Sequence, residues 1–222
     1  MQLELSVDPV YRHGGRRPGA GRPKTGRAIG LPHRPRPYHD RHYPAHVTWR
    51  LVESLPSMRR FALARVVGQT IRGITGSHAK RQTSFRITHF SIQSNHLHLI
   101  VEAGGKLALS KGLQGLGIWL ARRVNGRLGR RGRVVADRYH LRELTTPRAV
   151  RNAIVYVLQN HLHHRRSRYF VDECSSARWF TGWVVPLPPP DTASPVAESR
   201  TWLGGRGWLR YGRIALGEGP RS

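Results

Sequence analysis

The chain has 222 residues, of which 38 are Lys or Arg and 12 are Asp or Glu, for a net charge of +26. A surplus of this size indicates a polyanionic partner, foremost a nucleic acid. The single cysteine, Cys174, excludes an internal disulfide and a cysteine-based zinc site. No signal peptide, long apolar run, lipidation motif or basic amphipathic helix favours export or a membrane partner, so we expect an intracellular protein.

The first part of the chain is a basic arm. Residues 11–41 hold nine Arg or Lys and one acid, Asp40, among many Gly and Pro. Such a segment cannot bury a core, so residues 1–42 are predicted to be disordered when free. "GRRPGAGRPKTGR" sets Arg-Pro beside Gly twice, which resembles an AT-hook in a minor groove; a generic phosphate-binding arm is the alternative. The candidate DNA contacts of the arm are Arg16, Arg17, Arg22 and Lys24.

Predicted secondary structure begins near Tyr43. "HVTWRLVE" (46–53) alternates apolar and polar residues, as a half-buried strand does. Ser54 or Ser57 then caps a helix that runs to about Ile74 and ends at Gly76. Two further strands are predicted at 85–92 and 96–103, joined by a tight turn.

A second helix is predicted over 106–129, followed by a basic turn and a fourth strand within "RRGRVVADRYHLREL". The last helix has Thr146 as its N-cap and Pro147 at its first position. The order β-α-β-β-α-β predicts an α+β fold, a ferredoxin-like split βαβ sandwich. Its antiparallel sheet carries helices on one face, and a C-terminal helix follows. This domain is predicted to cover residues 43–170.

The third predicted strand carries two histidines one residue apart. Because side chains alternate along a strand, His96 and His98 point from the same face, about 6.5–7 Å apart, within reach of one metal ion. A phosphate contact and two ordinary strand histidines are the alternatives.

A tyrosine and an amide share one face of the last predicted helix. Tyr156 and Asn160 are four residues apart, and therefore lie one turn apart on the helix. A phenol can act as a nucleophile. An amide oxygen can complete the coordination shell of a hard cation.

The segment that leads to the fourth strand is strongly basic. Eight arginines lie between Arg122 and Arg142, against one acid, Asp137. We expect DNA phosphates to contact this region. The candidate residues are Arg122, Arg123, Arg130, Arg131, Arg133, Arg138 and Arg142.

Two histidines on a strand, with Tyr-x-x-x-Asn on a neighbouring helix, resemble the single-tyrosine HUH transposases. "SNHLHLIVE" is similar to the HUH strand, and "ADRYHLREL" followed by "RNAIVYVLQN" is similar to the stretch that leads to the catalytic tyrosine. The resemblance covers about residues 43–165 and is greatest to the REP-associated tyrosine transposases. One departure is "QNHLHHRR", which stands where many relatives have Asn-Pro.

The resemblance implies a metal-dependent single-stranded DNA endonuclease and strand transferase that acts on the hairpins of repetitive palindromic elements. His96, His98 and Asn160 would hold the metal, and Tyr156 would attack the scissile phosphate to leave a 5′-phosphotyrosine. Mg²⁺ or Mn²⁺ is favoured over Zn²⁺ because the shell must stay open. A cytoplasmic, nucleoid-associated bacterial protein, monomeric or homodimeric, is implied.

Other interpretations remain open from the sequence. A catalytically silent DNA-binding protein of the same fold would act on repeats as an architectural or regulatory factor. A basic RNA-binding module would present aromatic residues on its sheet. Tyr139 and Tyr169 are alternative nucleophiles, and His140 and Glu102 are possible further members of the metal shell.

Residues 171–222 form a Pro/Trp/Gly-rich C-terminal extension with a different composition. Its tryptophans are expected to dock on the domain, and base stacking is the alternative. These residues are Trp179, Trp183, Trp202 and Trp208.

Overall fold

The computed structural model of the chain describes residues 38–80, 84–163 and 171–219. The four predicted DNA contacts of the arm (Arg16, Arg17, Arg22 and Lys24) therefore lie outside the described residues. The main elements in chain order are β1 (Ala45–Arg50), α1 (Phe61–Lys80), β2 (Phe85–Ile92), β3 (His96–Ala103), α2 (Lys106–Leu128), β4 (His140–Glu143) and α3 (Pro147–His163). A short helix, α4 (Trp202–Gly205), and two 3-10 turns follow in the extension.

The four strands form one antiparallel sheet in the order β2-β3-β1-β4. Strands β1 and β3 lie at its centre, and β2 and β4 lie at its edges. This order, with helices after β1 and β3, is the split βαβ arrangement. The predicted ferredoxin-like fold is confirmed.

Strand β3 separates the two sides of the domain. Leu97, Leu99 and Val101 point into a core formed with α1 and α2. Ile100, on the opposite face, belongs to a second core formed with α3 and the extension. Because side chains alternate along β3, this strand presents apolar residues on both faces of the sheet. Helices α1 and α2 cover one face, and α3 covers the other.

The first helix differs from its prediction at both ends. The chain turns between Ser54 and Arg60 before α1 begins at Phe61, so neither predicted serine is its N-cap. Gly76 does not end the helix, because a glycine inside a helix costs only about 1 kcal/mol relative to alanine. The continuing turns dock on β2, where the ring of His78 lies 5.1 Å from that of Phe85.

Strand β1 is shorter than predicted, since its backbone leaves the sheet after Arg50. The N–H groups of Leu51 and Val52 instead donate to the carbonyls of Asn95 and Val134, at 2.8 and 3.0 Å. The first bond fixes the turn between β2 and β3 against the end of β1, and the second does the same for the segment that precedes β4.

Helix α3 begins as predicted and is interrupted near its end. Thr146 Oγ1 accepts a hydrogen bond from the N–H of Ala149 at 3.1 Å, which confirms it as the N-cap. At Gln159 the backbone leaves helical geometry, with φ −120° and ψ 18°. The side chain of Gln159 is fully buried and bonds to the extension, accepting from the N–H of Gly217 and donating to the carbonyl of Ala215.

The extension packs along α3 in the second core, to which it contributes the buried Trp183 and Trp208. Arg151 on α3 donates to both carboxylate oxygens of Glu218 and to two carbonyls of the extension. Two of the four tryptophans thus dock as expected, while Trp202 stays 52% exposed. The proposed division of the chain into three parts remains a prediction.

Among the described residues, no helix is both long enough and apolar enough to cross a membrane.

Two glycines of α2 provide a matched test of this packing. A Cβ at Gly112 would lie 2.2 Å from the ring of Phe85, whereas a Cβ at Gly115 would meet nothing within 4 Å. We expect Gly112→Ala to lower the free energy of unfolding by about 1–3 kcal/mol through overpacking. Gly115→Ala should raise it by about 0.4–1 kcal/mol, because alanine restricts the unfolded chain. Urea denaturation measures both; equal effects would contradict the close packing of α2 on β2.

Candidate functional site

A cleft of about 700 Å³ opens where β3 begins and α3 crosses the sheet. It brings together all four residues that the sequence indicates for metal binding and nucleophilic attack. Its lining consists of Thr48, Leu55, Ser57, Gln93, Ser94, Asn95, His96, His98, Tyr156 and Asn160. Strand β3 supplies the histidines, α3 supplies the phenol and the amide, and the turn before β3 supplies polar side chains.

The two histidines are held through the same ring atom. Their rings lie 6.3 Å apart and nearly parallel. Nδ1 of His96 is 2.8 Å from Oδ1 of Asn95, and Nδ1 of His98 is 3.3 Å from Oγ1 of Thr48. Partners on Nδ1 fix the orientation of a ligating imidazole, so a metal here would be bound through Nε2.

Tyr156 lies over His98. The two rings meet edge to face, with centroids 5.2 Å apart. Burial raises the pKa of Tyr156, and a hydrogen bond from the side chain of Asn160 partly offsets this rise. The phenol is therefore protonated near neutral pH and must lose its proton if it is to attack a phosphate.

Asn160 lines the cleft and carries an unsatisfied side-chain oxygen. The residue is 2% exposed, and its Oδ1 is buried without a hydrogen-bond partner among the described residues. A buried amide oxygen without a partner carries a desolvation penalty that a cation would remove. The donor set of two imidazoles and one amide oxygen therefore fits a divalent cation.

His46 belongs to the site and was missed by the sequence analysis. Its ring lies 5.5 Å from that of His98 and 5.6 Å from that of Tyr156. Burial, followed by electrostatic repulsion from His140 and Arg142, lowers the pKa of His46 to about 4, so its imidazole is neutral at pH 7. The available indication was its place in the polar row of β1, two residues before Thr48.

The two possible additional ligands do not join the cleft lining. Glu102 lies near the far end of β3, where both carboxylate oxygens are bound by the extension. His140 is exposed on β4. Within residues 38–80, 84–163 and 171–219, no group of three or more His, Cys, Asp or Glu side chains could hold a metal ion. A metal in the cleft would therefore depend on the amide of Asn160.

The predicted arginine contacts are spread over several surfaces. Arg142 pairs with His46 across β4 and β1 and so lies on the side of the sheet that carries the cleft. Arg122 and Arg123 lie on α2, in the opposite layer. The remaining four follow α2 in the chain and precede β4, and their contact with DNA stays a prediction; these are Arg130, Arg131, Arg133 and Arg138.

Tyr139, an alternative nucleophile, lies on the other side of the sheet. Its ring packs edge to face against Trp49, 6.0 Å away, in the core formed with α1 and α2. Tyr169 lies outside the described residues.

Comparison with known proteins gives a distant likeness of fold. No protein-family profile matches the chain, and no curated protein sequence matches it. A solved structure of a REP-associated tyrosine transposase bound to a REP hairpin is similar over 62% of this chain and 77% of that one, at 14% identity and a TM-score of 0.48. The function of the chain must therefore be inferred from the site itself.

We expect the full chain to bind Mn²⁺ in the cleft. His98→Ala and Asn160→Ala should each weaken Mn²⁺ binding by more than about tenfold, since each removes a donor atom. His42→Ala is the control, because His42 is an exposed histidine that the cleft lining does not include. Titration followed by electron paramagnetic resonance of free Mn²⁺ measures all three. Equal affinity in the His98 and His42 variants would contradict the assignment.

Proposed function

We propose that the chain is a metal-dependent single-stranded DNA endonuclease and strand transferase of the HUH transposase type, which acts through a 5′-phosphotyrosine. The observation that carries this proposal is the meeting of a tyrosine, two imidazoles and an unsatisfied amide oxygen in one open cleft. The charge of +26 supports a nucleic acid as the substrate.

The nucleophile is Tyr156. Its Oη attacks the scissile phosphorus in line with the 3′ oxygen; the phosphorus–O3′ bond breaks as the new bond forms. The phenol gives its proton to solvent and the departing 3′ oxygen takes one up from solvent to leave as a hydroxyl, so the step releases and consumes no net proton. A phosphodiester is exchanged for a phosphotyrosyl ester, so a 3′-hydroxyl can later reverse the step without ATP.

His96, His98 and Asn160 would hold Mg²⁺ or Mn²⁺. When bound, such a cation supplies charge stabilisation to a non-bridging phosphate oxygen and orients the phosphate. The residues of the chain do the rest. Thr48 and Asn95 orient the imidazoles, and Asn160 lowers the cost of ionising the half-buried phenol.

The architecture favours this function over an RNA-binding module. Such a module needs a sheet face with exposed aromatic rings on which bases stack. Here α1 and α2 cover one face of the sheet, and α3 covers the other. As substrates we propose hairpins of palindromic repeats, which the resemblance to the REP-associated tyrosine transposases implies, with the single strand entering the cleft.

Tyr156→Phe separates the chemistry from binding. The ring and its packing on His98 are kept, and only the nucleophilic oxygen is removed. We expect binding of hairpin DNA within about twofold of the wild type, because the phenol is not needed for phosphate contacts. No covalent adduct should form with labelled hairpin DNA and Mn²⁺ on a denaturing gel.

Tyr139→Phe is the matched control and should retain the adduct. An adduct that survives Tyr156→Phe and disappears with Tyr139→Phe would refute the choice of nucleophile. Hairpin binding by the wild type without an adduct on any substrate would instead support the catalytically silent binding protein.

The basic arm gives a separate prediction. Deletion of residues 1–37 removes eight Lys or Arg residues between Arg12 and Arg36. Because each phosphate contact releases counterions, the plot of log affinity against log salt concentration should become less steep, by about 0.7–0.9 for each phosphate that the arm no longer neutralises. Fluorescence anisotropy at several salt concentrations measures the slope. An unchanged slope would exclude phosphate contacts from the arm.

A further inference from the structure

A second cavity lies at the other end of β3. It has a volume of about 610 Å³ and is bounded by the end of β3, the chain before β1, the start of α3 and the extension. Strand β3 runs from His96 at the cleft to Ala103 at this cavity, a distance of about 23 Å for seven residue steps. No step of the proposed reaction uses it.

An aromatic ring is displayed at the cavity. Trp202 is 52% exposed, whereas its neighbours in the extension, Trp183 and Trp208, are buried in the core. The guanidinium of Arg210 lies over the Trp202 ring, 5.1 Å from its centroid. An exposed indole backed by arginine is suited to stacking a nucleobase.

The cavity is also strongly basic. Four arginines line it, namely Arg41, Arg86, Arg200 and Arg210. Arg41, Arg200 and Arg210 are exposed and have no carboxylate partner within the described part of the chain. An exposed arginine without a carboxylate partner is the side chain that best binds phosphate. The lining thus combines a base-stacking ring with phosphate-binding charge.

Glu102, the acid in the cavity lining, does not cancel that charge for a ligand. It is 1% exposed and forms an ion pair with Arg86 at 3.3 Å. Its carboxylate also accepts from the backbone N–H of Arg200 at 2.8 Å and from the hydroxyl of Thr201 at 2.8 Å. The oxygens of Glu102 thus accept hydrogen bonds from the protein itself. These bonds fix the segment that carries Arg200 and Trp202.

Thr201 connects the segment bound by Glu102 to Trp202. It is the N-cap of α4 and accepts from the N–H of Gly204 at 3.1 Å. A Cβ at Gly204 would lie 2.7 Å from Oε1 of Glu102, so the glycine allows α4 to approach the carboxylate. The indole therefore stands on a structured turn and is preorganised for a ligand.

We propose that this cavity is a nucleotide subsite for single-stranded DNA, with one base stacked on Trp202 and the adjoining phosphates on Arg41 and Arg200. The choice of single-stranded DNA as the ligand rests on the proposed function. The subsite would add a second contact with the same DNA strand that enters the cleft. A subsite at the opposite end of β3 from the cleft selects substrates with a single strand long enough to engage both.

The test compares two exposed tryptophans. Trp202→Ala should weaken binding of a single-stranded oligodeoxythymidylate of about 12 nucleotides by about tenfold or more, the effect of removing one base–aromatic stack. Trp119→Ala is the control. Trp119 is 47% exposed and also has an arginine over its ring, Arg123 at 5.7 Å, but it lies on α2 and outside this cavity. Fluorescence anisotropy with the full chain measures both affinities.

Two further measurements guard against a folding defect. Trp202→Phe keeps an aromatic face and should recover most of the affinity, and Arg200→Gln should flatten the salt dependence without changing the fold. With 5-iododeoxyuridine in the oligonucleotide, ultraviolet crosslinking should label the tryptic peptide that contains Trp202.

Failure of this inference is distinct from failure of the proposed function. If Trp202→Ala and Trp119→Ala bind the oligonucleotide equally and no crosslink reaches Trp202, the subsite is refuted, even where Tyr156 still forms an adduct. If binding depends on Trp202 while no adduct forms, the subsite stands and the strand-transfer chemistry is refuted. A wild-type chain that does not bind the oligonucleotide refutes the subsite as well.

Discussion

The packing of α3 across the sheet is the contact on which the site depends. Ile100 on β3 and Val157 and Leu158 on α3 are all buried in the second core, and this burial sets the height at which α3 crosses the strand. Apolar burial of this kind is the largest favourable contribution to folding. Because Tyr156 precedes Val157, the same packing holds its ring 5.2 Å from that of His98.

The C-terminal extension also binds α3. Arg151 is bound by Glu218 near the start of α3, and Gln159 is bound by Ala215 and Gly217 where the helix kinks. The kink lies immediately before Asn160, so the extension contributes to the direction of the amide that faces the cleft. Through Glu102 the extension is also attached to β3 itself. A segment with a composition typical of a linker and tail is thus bound to both elements, α3 and β3, that carry the candidate site.

Much of the site could be predicted because its signals are local. Period-two alternation placed His96 and His98 on one face, and a spacing of four placed Tyr156 near Asn160. The contacts of His46 and Glu102 could not be predicted, since they depend on strand pairing and on residues more than 50 positions apart in the chain, such as His46 with His98. Gly76 failed as a helix end for a related reason, because tertiary contacts of α1 override a weak local preference.

We propose that one cleft holds both the metal and the phosphate that Tyr156 attacks. The most direct test is a crystal structure of the Tyr156→Phe variant with hairpin DNA and Mn²⁺, using anomalous scattering to locate the metal. We predict one anomalous peak at His96, His98 and Asn160, with a DNA phosphate between it and the ring at position 156. A metal peak and scissile strand elsewhere, for instance in the groove beside Trp49 and Tyr139, would contradict it.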